Sequence, residues 1–176
     1  MKIEKLVLWL SVMPATTAVA DGISEQDVID AQNAWGDGIV AIASEHTNGG
    51  DYAERAKEHI ATLYAYGFDP VMFKPTLAAE DQFRETFDEA LSYFIGAEGS
   101  EDSGFAIKGW TRVRFESNGI FTSHDLATAM GNYFFTGPDG NETKVEYSFG
   151  YVQDDEGNLK IYLHHSSLPY NPSRAG

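Results

Sequence analysis

Two adjacent histidines and two adjacent serines lie near the C-terminus, in the run KIYLHHSSLPY over residues 160–170. The run is typical of a β-strand, in which successive side chains face opposite sides of the sheet. His165 and Ser167 then share a face with Leu163, and the apolar Leu163 favours that face as the inward one. We expect this imidazole and hydroxyl either to bind a small polar guest or a water, or to satisfy one another and nearby backbone groups in the core. His164, on the opposite face, is expected at the surface or at a subunit contact.

Three further side chains combine usable chemistry with an ordinary structural alternative. Thr76 follows a proline, where its hydroxyl would equally well cap a helix or bind a ligand. Tyr93 lies at helical spacing from several apolar residues, which is typical of a core aromatic whose hydroxyl reaches the periphery. His124, next to Asp125, is typical of a pair in a loop or at a strand edge. The residue types alone leave structural and functional roles open at all three positions.

The sequence predicts no metal site and no cofactor. It contains no cysteine, which excludes thiolate nucleophiles and cysteine-based zinc sites. Its five histidines are His46, His59, His124, His164 and His165. Adjacent histidines on a strand point apart and do not easily share one ion, and the chain has no His-Glu-x-x-His helix. Zinc and manganese are nevertheless not excluded.

The chain is an acidic protein of 176 residues with a formal net charge of -15. Its length suits one domain with a single hydrophobic core, and its 43% hydrophobic content is that of a packed protein. Its 12 lysines and arginines are scattered without a cluster, which argues against nucleic acid as a partner. A small or neutral ligand is easier to accommodate.

The first 20 residues, MKIEKLVLWLSVMPATTAVA, have the pattern of a secretory signal peptide. Lys2 and Lys5 precede a short apolar run, and the small residues at 18–20 suit cleavage after them. The run is too short to span a membrane, so no membrane attachment is expected after cleavage. Cleavage removes two basic residues and one acidic residue, which changes the formal charge from -15 to -16. We therefore expect a periplasmic or secreted protein whose single domain covers residues 21–176.

Helical periodicity dominates the first half of the mature chain. From Ser24, a candidate N-cap, apolar residues recur at helical spacing until HTNGGD at 46–51 ends the helix. A second helix is predicted over residues 51–66, with Gly67 as its C-terminal stop, and a third over residues 81–95. The segment DPVMFKPTLA between them is predicted to be extended, because each proline disfavours helical geometry in the residue before it.

From residue 104 onward the periodicity changes to two, which predicts β-strands. Turn chemistry at residues 138–140, and again at residues 155–158, separates the later strands. Consecutive strands joined by short turns form an antiparallel meander. Helices followed by strands predict an α+β domain, in which a curved and mainly antiparallel sheet packs against the N-terminal helices.

Four separated segments resemble the iota-class carbonic anhydrases. They are HHSSLP at the C-terminal end, MFKPTLA before the third helix, ALSYFIG within it, and MGNYFF with KVEYSFGYV in the meander. They occur in order, and the resemblance covers about Trp35 to Pro169. The family's run of three histidines and two serines is matched, except that Leu163 stands in place of the first histidine. The resemblance implies a cone-shaped domain of the nuclear transport factor 2-like superfamily, related to the association domain of calcium/calmodulin-dependent kinase II, with a pocket between sheet and helices.

The resemblance also implies a function, the reversible hydration of carbon dioxide to bicarbonate. Some members are active without a metal, and others are described as using zinc or manganese. Carried over by position, the catalytic residues are Thr76, Tyr93, His165 and Ser167. The three hydroxyls would position a water and the bicarbonate oxygens, while His165 would orient a hydroxyl or pass a proton. A homodimer is expected from the same resemblance.

Two other functions stay open on the sequence. Domains of this superfamily often bind a small ligand without turnover, which the aromatic-rich composition allows. Others serve only to assemble subunits, which would need large exposed apolar patches and no competent pocket. Rapid hydration of carbon dioxide by chelator-treated protein would distinguish the enzyme from both.

Overall fold

Within residues 22–174 the chain forms three α-helices and five β-strands, as the computed structural model describes them. The predicted signal peptide over residues 1–20 lies outside the described residues. The elements are α1 Glu25–Asn48, α2 Tyr52–Leu63, β1 Met72–Lys74, α3 Phe87–Ile95, β2 Arg112–Thr122, β3 Leu126–Thr136, β4 Glu142–Gln153 and β5 Leu159–Ser167, followed by a 3-10 turn at Pro172–Arg174. No described helix combines the length and the apolar character that crossing a bilayer requires.

The five strands form one sheet in the order β1-β5-β4-β3-β2. Strands β2 to β5 pair antiparallel with their neighbours in sequence, as the meander prediction requires. The short β1 extends the sheet beyond β5 and runs parallel to it, with Met72 opposite Leu163 and Lys74 opposite His165. α1 packs against α2 and β2, and α2 packs against α3. The predicted α+β architecture is confirmed, and the parallel edge strand is a feature that the meander pattern does not predict.

α1 begins where the sequence predicts. The Ser24 hydroxyl accepts the N–H of Asp27, and the Asp27 carboxylate accepts the N–H of Ser24, which completes a capping box. Gly49 ends the helix in the left-handed conformation. In the middle of α1, Gly38 lies against the buried ring of His59, and a Cβ at residue 38 would overlap a ring nitrogen. α1 and α2 therefore approach closely here because residue 38 has no side chain.

α2 ends at Leu63, so the prediction that it continues to residue 66 is wrong. The reason is that Tyr64 is already extended, with φ -106° and ψ 154°, and forms a parallel bridge with Ile161 of β5. Pairing with the sheet outweighs the helical pattern at this end. It also fixes the Tyr64 side chain in the core, where it is 2% exposed.

α3 begins at Phe87, so the predicted start at residue 81 is also wrong. Thr86 caps the helix through a second capping box. The N–H of Arg84 donates to the carbonyl of Phe73 at 2.8 Å, which closes residues 75–83 into a loop that leaves β1 and returns beside it. We call residues 75–86 the β1–α3 loop.

Two acidic residues that follow α3 hold the β1–α3 loop. The Glu101 carboxylate accepts the N–H groups of residues 79–81 at 2.9 to 3.1 Å. The Arg84 guanidinium pairs with Asp102 at 2.6 Å, and the two side chains are 3% and 4% exposed. A buried ion pair of this kind tolerates the loss of neither partner. The loop is therefore fixed relative to α3.

Candidate functional site

A cavity of about 270 Å³ opens between the helices and the inner face of the sheet. Its walls come from α1, β1, the β1–α3 loop, α3 and strands β3 to β5, together with the segment before β2. Most of its lining is aromatic or aliphatic. The polar or titratable side chains that line it are Thr76, Tyr93, Lys108, Tyr133, Thr143, His164 and Ser166.

Exposure separates the floor of the cavity from its rim. The floor consists of buried residues, each 6% exposed or less: Trp35, Phe73, Tyr93, Tyr133, His164 and Ser166. The rim consists of exposed residues: Leu77, Lys108, Thr143 and Leu168. Polar groups thus lie at the bottom of a largely apolar cavity, where hydrogen bonds are poorly screened by water.

β5 presents His164 and Ser166 to the cavity, not His165 and Ser167. His164 is 2% and Ser166 4% exposed. His165 is exposed on the outer face of the sheet, where Ser167 donates a hydrogen bond to the Glu146 carboxylate at 2.9 Å. The predicted inward orientation of His165 and Ser167 is therefore wrong, and so is the expectation that His164 lies at the surface or at a subunit contact.

A β-bulge in β5 is the physical reason. Ile161 faces inward and pairs with Tyr151, while Leu163 pairs with Gly150, so Tyr162 has no partner in the ladder. One extra residue moves every later side chain of the strand to the opposite face. Gly150 permits the bulge, because a Cβ there would lie 2.7 Å from the Tyr162 ring. Leu163 is half-buried on the outer face, so its apolar character indicates the wrong side.

A chain of hydrogen bonds reaches the floor of the cavity from α1. Trp35 Nε1 donates to Tyr64 Oη at 2.9 Å, and Tyr64 Oη lies 2.8 Å from His164 Nδ1. His164 Nε2 lies 3.4 Å from Tyr133 Oη. Because an indole N–H can only donate, the Tyr64 oxygen accepts from it and the Tyr64 proton goes to His164 Nδ1. The neutral imidazole then carries its proton on Nε2 and directs it at Tyr133.

Burial keeps His164 neutral. It lowers the pKa of His164 well below the ordinary value of 6.5, and the charges of His165 and His59 act in the same direction. The ring stacks on Phe73, with centroids 4.6 Å apart and planes 11° from parallel. His164 is thus a rigid, oriented hydrogen-bond donor near neutral pH and not a proton acceptor.

Tyr133 carries the chain from His164 into the cavity. Burial raises the pKa of Tyr133 above its ordinary value of 10, and a hydrogen bond with Ser166 partly offsets that rise. Tyr133 is therefore a neutral phenol. Because its oxygen accepts from His164, its own O–H is directed toward Ser166 or a guest. Two hydroxyls at the floor are in this way oriented by a chain that begins at Trp35.

Thr76 and Tyr93 line the same cavity, Thr76 from the β1–α3 loop and Tyr93 from α3. Burial raises the pKa of Tyr93 above its ordinary value of 10, against the backbone N–H groups of Leu77 and Thr76, which hydrogen-bond its oxygen and lower the pKa. Tyr93 is therefore a neutral hydroxyl beside backbone donors. The loop and α3 bring these two side chains to the cavity that His164 and Ser166 also line.

Sequence reasoning missed the residues that complete this site. They are Trp35, Tyr64, Tyr133, His164 and Ser166. Gly150, in the interior of a predicted strand, was the available signal for the bulge that reverses β5. No local pattern reveals the partner of His164, because Tyr64 lies 100 residues away in the chain.

His124 does not line the cavity. It is exposed beside Gly22 at the start of the described chain. Within residues 22–174 no group of three or more histidine, aspartate or glutamate side chains is arranged to hold a metal ion. His59 is buried in the helical layer, which lowers its pKa to about 3.

Known proteins that this chain resembles share one description. A family model described as metal-independent carbonic anhydrase matches residues 26–168. A metal-independent carbonic anhydrase from Nostoc sp. is 41% identical over 160 residues, which cover 88% of this chain and 78% of the relative. The crystal structure of an iota-carbonic anhydrase from a cyanobacterium, complexed with bicarbonate, is 38% identical and has a TM-score of 0.84 over 88% of this chain and 98% of that one. A putative calcium/calmodulin-dependent kinase II association domain from Xanthomonas campestris shares the fold, with 22% identity and a TM-score of 0.53 over 91% of this chain and 100% of that one.

Proposed function

This chain belongs to the family of metal-independent carbonic anhydrases, and from that premise we propose that it catalyses the reversible hydration of carbon dioxide to bicarbonate in the cavity, without a metal. The observation that carries the proposal is the set of oriented hydroxyls on the floor of a largely apolar cavity. The neighbour with 38% identity is complexed with bicarbonate, which supports the same substrate and product here. The description of the matched family agrees with the expectation that no metal cofactor is needed.

The lining suits both reactants. Carbon dioxide is apolar and can enter past the aromatic and aliphatic walls, whereas bicarbonate needs donors for its oxygens. Thr76, Tyr93 and Ser166 supply hydroxyl donors, and the Thr76 and Leu77 amides lie beside Tyr93. Donors that are already oriented stabilise charge as it develops, because they need no rearrangement at the moment of reaction.

His164 acts through orientation in this proposal. Its proton lies on Nε2 and faces Tyr133, so His164 fixes the direction in which the Tyr133 and Ser166 hydroxyls point. Near neutral pH the neutral His164, Tyr93 and Tyr133 side chains do not take up the proton released from water. That proton therefore leaves through water at the open rim.

We thus assign the catalytic roles proposed for β5 to the inward-facing residues. Ser166 replaces Ser167 as a donor to bicarbonate, and His164 replaces His165 as the positioning imidazole, while Thr76 and Tyr93 keep their proposed roles. Leu163, at the position of the family's first histidine, faces away from the cavity. The departure from the family's histidine run therefore leaves the cavity lining unchanged.

The test is stopped-flow hydration of carbon dioxide by protein that has been exhaustively chelated and checked by elemental analysis. Full activity without metal supports the proposal, and Thr76→Val is expected to lower kcat/KM by about 10- to 100-fold through the loss of one donor. Thr143→Val, at the rim of the same cavity, is the matched control and should retain activity. Activity that returns only with added zinc or manganese would contradict the metal-free mechanism.

We also propose a homodimer formed through the outer face of the sheet. Phe121 and Met130 are 66% and 55% exposed and, with Leu163, border one hollow on that face, while Met72 on the edge strand is 55% exposed. Burying such side chains supplies the apolar area that a stable interface needs. Sedimentation equilibrium is expected to give a dimer that Met130→Glu converts to monomer, and a monomeric unmodified protein would contradict this.

A periplasmic or secreted location is a further proposal, supported by the pattern of the first 20 residues. We expect N-terminal sequencing of protein from the native cell to begin at Asp21, and fractionation to place it outside the cytoplasm. Protein that retains Met1 in the cytoplasmic fraction would contradict the proposal.

A further inference from the structure

The cavity is much larger than its substrate requires. Bicarbonate has four non-hydrogen atoms, whereas the cavity offers about 270 Å³, several times what so small an anion fills, given that one water occupies about 30 Å³ of liquid. The donors that suit bicarbonate lie on the floor. The space toward the rim is therefore not accounted for by carbon dioxide hydration.

The unused space is bounded by apolar side chains. Phe105 and Trp110 lie between floor and rim, with ring centroids 6.0 Å apart. Leu77 and Leu168 are 48% and 47% exposed at the rim. Exposed leucines at the mouth of an aromatic-lined cavity are typical of a site that buries an apolar ligand.

One cation accompanies these apolar groups. Among the described residues that line the cavity, Lys108 is the side chain with a formal charge, and it lies at the rim. The chain as a whole has a net charge of -15, so a positive group at this opening is notable for the guest it favours. An anion that enters the cavity passes Lys108 before it reaches the hydroxyls of the floor.

We propose that the rim half of the cavity is a second binding subsite, which takes the apolar group of a small monocarboxylate while its carboxylate occupies the place of bicarbonate. A carboxylate shares the planar O–C–O unit of bicarbonate, so Thr76, Tyr93 and Ser166 serve it equally well. The ligand class is an aryl or branched alkyl carboxylate with about the size of benzoate, within the range that pockets of a few hundred Å³ accept. Such an acid inhibits the enzyme by competing with bicarbonate. This inference rests on the proposed function only for the position of the carboxylate.

Calorimetric titration of the mature protein with benzoate and with acetate tests the subsite without any turnover. Benzoate is expected to bind at least about tenfold more tightly than acetate, because its ring is removed from water at the rim. Benzyl alcohol, which keeps the ring and lacks the carboxylate, should bind more weakly than benzoate. Equal affinities for benzoate and acetate would overturn the proposal.

Variants locate the binding. Leu168→Asn should reduce the preference for benzoate over acetate by about fivefold or more while leaving the kcat/KM for carbon dioxide within about twofold. Leu126→Asn is the matched control, since Leu126 is 43% exposed on β3 away from the cavity. Lys108→Met should weaken both acids alike. A preference that survives Leu168→Asn unchanged would mean that benzoate binds elsewhere, which overturns the proposal.

The two failures can be told apart. If benzoate binds with the expected preference but no carbon dioxide is hydrated, the subsite stands and the enzymatic function fails. If hydration is fast and benzoate binds no better than acetate, the subsite fails and the enzymatic function stands.

Discussion

At the residue scale, the direction of single side chains decides which groups belong to the site. Adjacent residues on β5 have nearly the same chemistry, yet His164 and Ser166 lie in the cavity and His165 and Ser167 lie outside it. The residue types were evident from the sequence. Their orientation was not, because the bulge at Tyr162 depends on how β5 pairs with β4.

The Tyr64 hydroxyl gives the sharpest residue-scale prediction. Tyr64→Phe removes the proton donated to His164 Nδ1, so the imidazole is free to adopt the other tautomer and Tyr133 loses its donor. We expect kcat to fall by about tenfold or more, with little change in KM. Nitrogen NMR shifts of the His164 ring should report the change in tautomer.

Tyr66→Phe is the matched control for Tyr64→Phe. Its ring stacks beside that of Tyr64, but its hydroxyl donates to the Arg84 carbonyl and takes no part in the chain. Equal losses of kcat in the two variants, with unaltered His164 shifts, would contradict the role assigned to the chain.

At the element scale, secondary structure was predictable where local chemistry decides it and not where tertiary contacts do. The Ser24 cap and the antiparallel meander follow from local patterns and are confirmed. The end of α2 depends on a bridge between Tyr64 and Ile161, and the start of α3 depends on the loop that Arg84 closes. Both contacts join distant parts of the chain, so helical periodicity alone extends each helix too far.

The clamp on the β1–α3 loop gives a prediction at this scale. Arg84→Met leaves Asp102 buried without its partner, which is expected to lower the free energy of unfolding by about 3 to 5 kcal/mol. The loop that carries Thr76 loses an anchor at the same time, so kcat/KM should fall in protein that is still folded. Urea denaturation and stopped-flow assays measure the two effects.

Arg55→Met is the control for the clamp. Arg55 pairs with Glu58 on the surface of α2, where both side chains are largely exposed, so its loss should cost about 1 kcal/mol or less. If Arg84→Met were no more costly than Arg55→Met, the buried pair would not be holding the loop.

At the scale of the whole molecule, buried histidines make stability depend on pH. Burial lowers the pKa of His59 to about 3 and that of His164 well below 6.5. In the unfolded chain both take up protons below their ordinary pKa, whereas in the folded protein they do not. Their contribution to stability is therefore fully present above about pH 6.5 and is lost as the pH falls below it.

We expect the free energy of unfolding to fall by about 1.4 kcal/mol per pH unit for each of these histidines between about pH 6 and 5, above the range where most carboxylates titrate. Urea denaturation at several pH values measures the slope. His59→Asn is expected to remove about half of it, and a slope that is the same in the variant would show that other groups are responsible.

The central claim is that the inward face of β5 carries the chemistry and the outward face does not. The most direct measurement is stopped-flow hydration of carbon dioxide by metal-free Ser166→Ala and Ser167→Ala, which differ only in which side of the strand loses a hydroxyl. The account predicts that Ser166→Ala lowers kcat/KM by about 10- to 100-fold and that Ser167→Ala stays within about twofold of the unmodified protein. A loss confined to Ser167→Ala, or no loss in either variant, would contradict it.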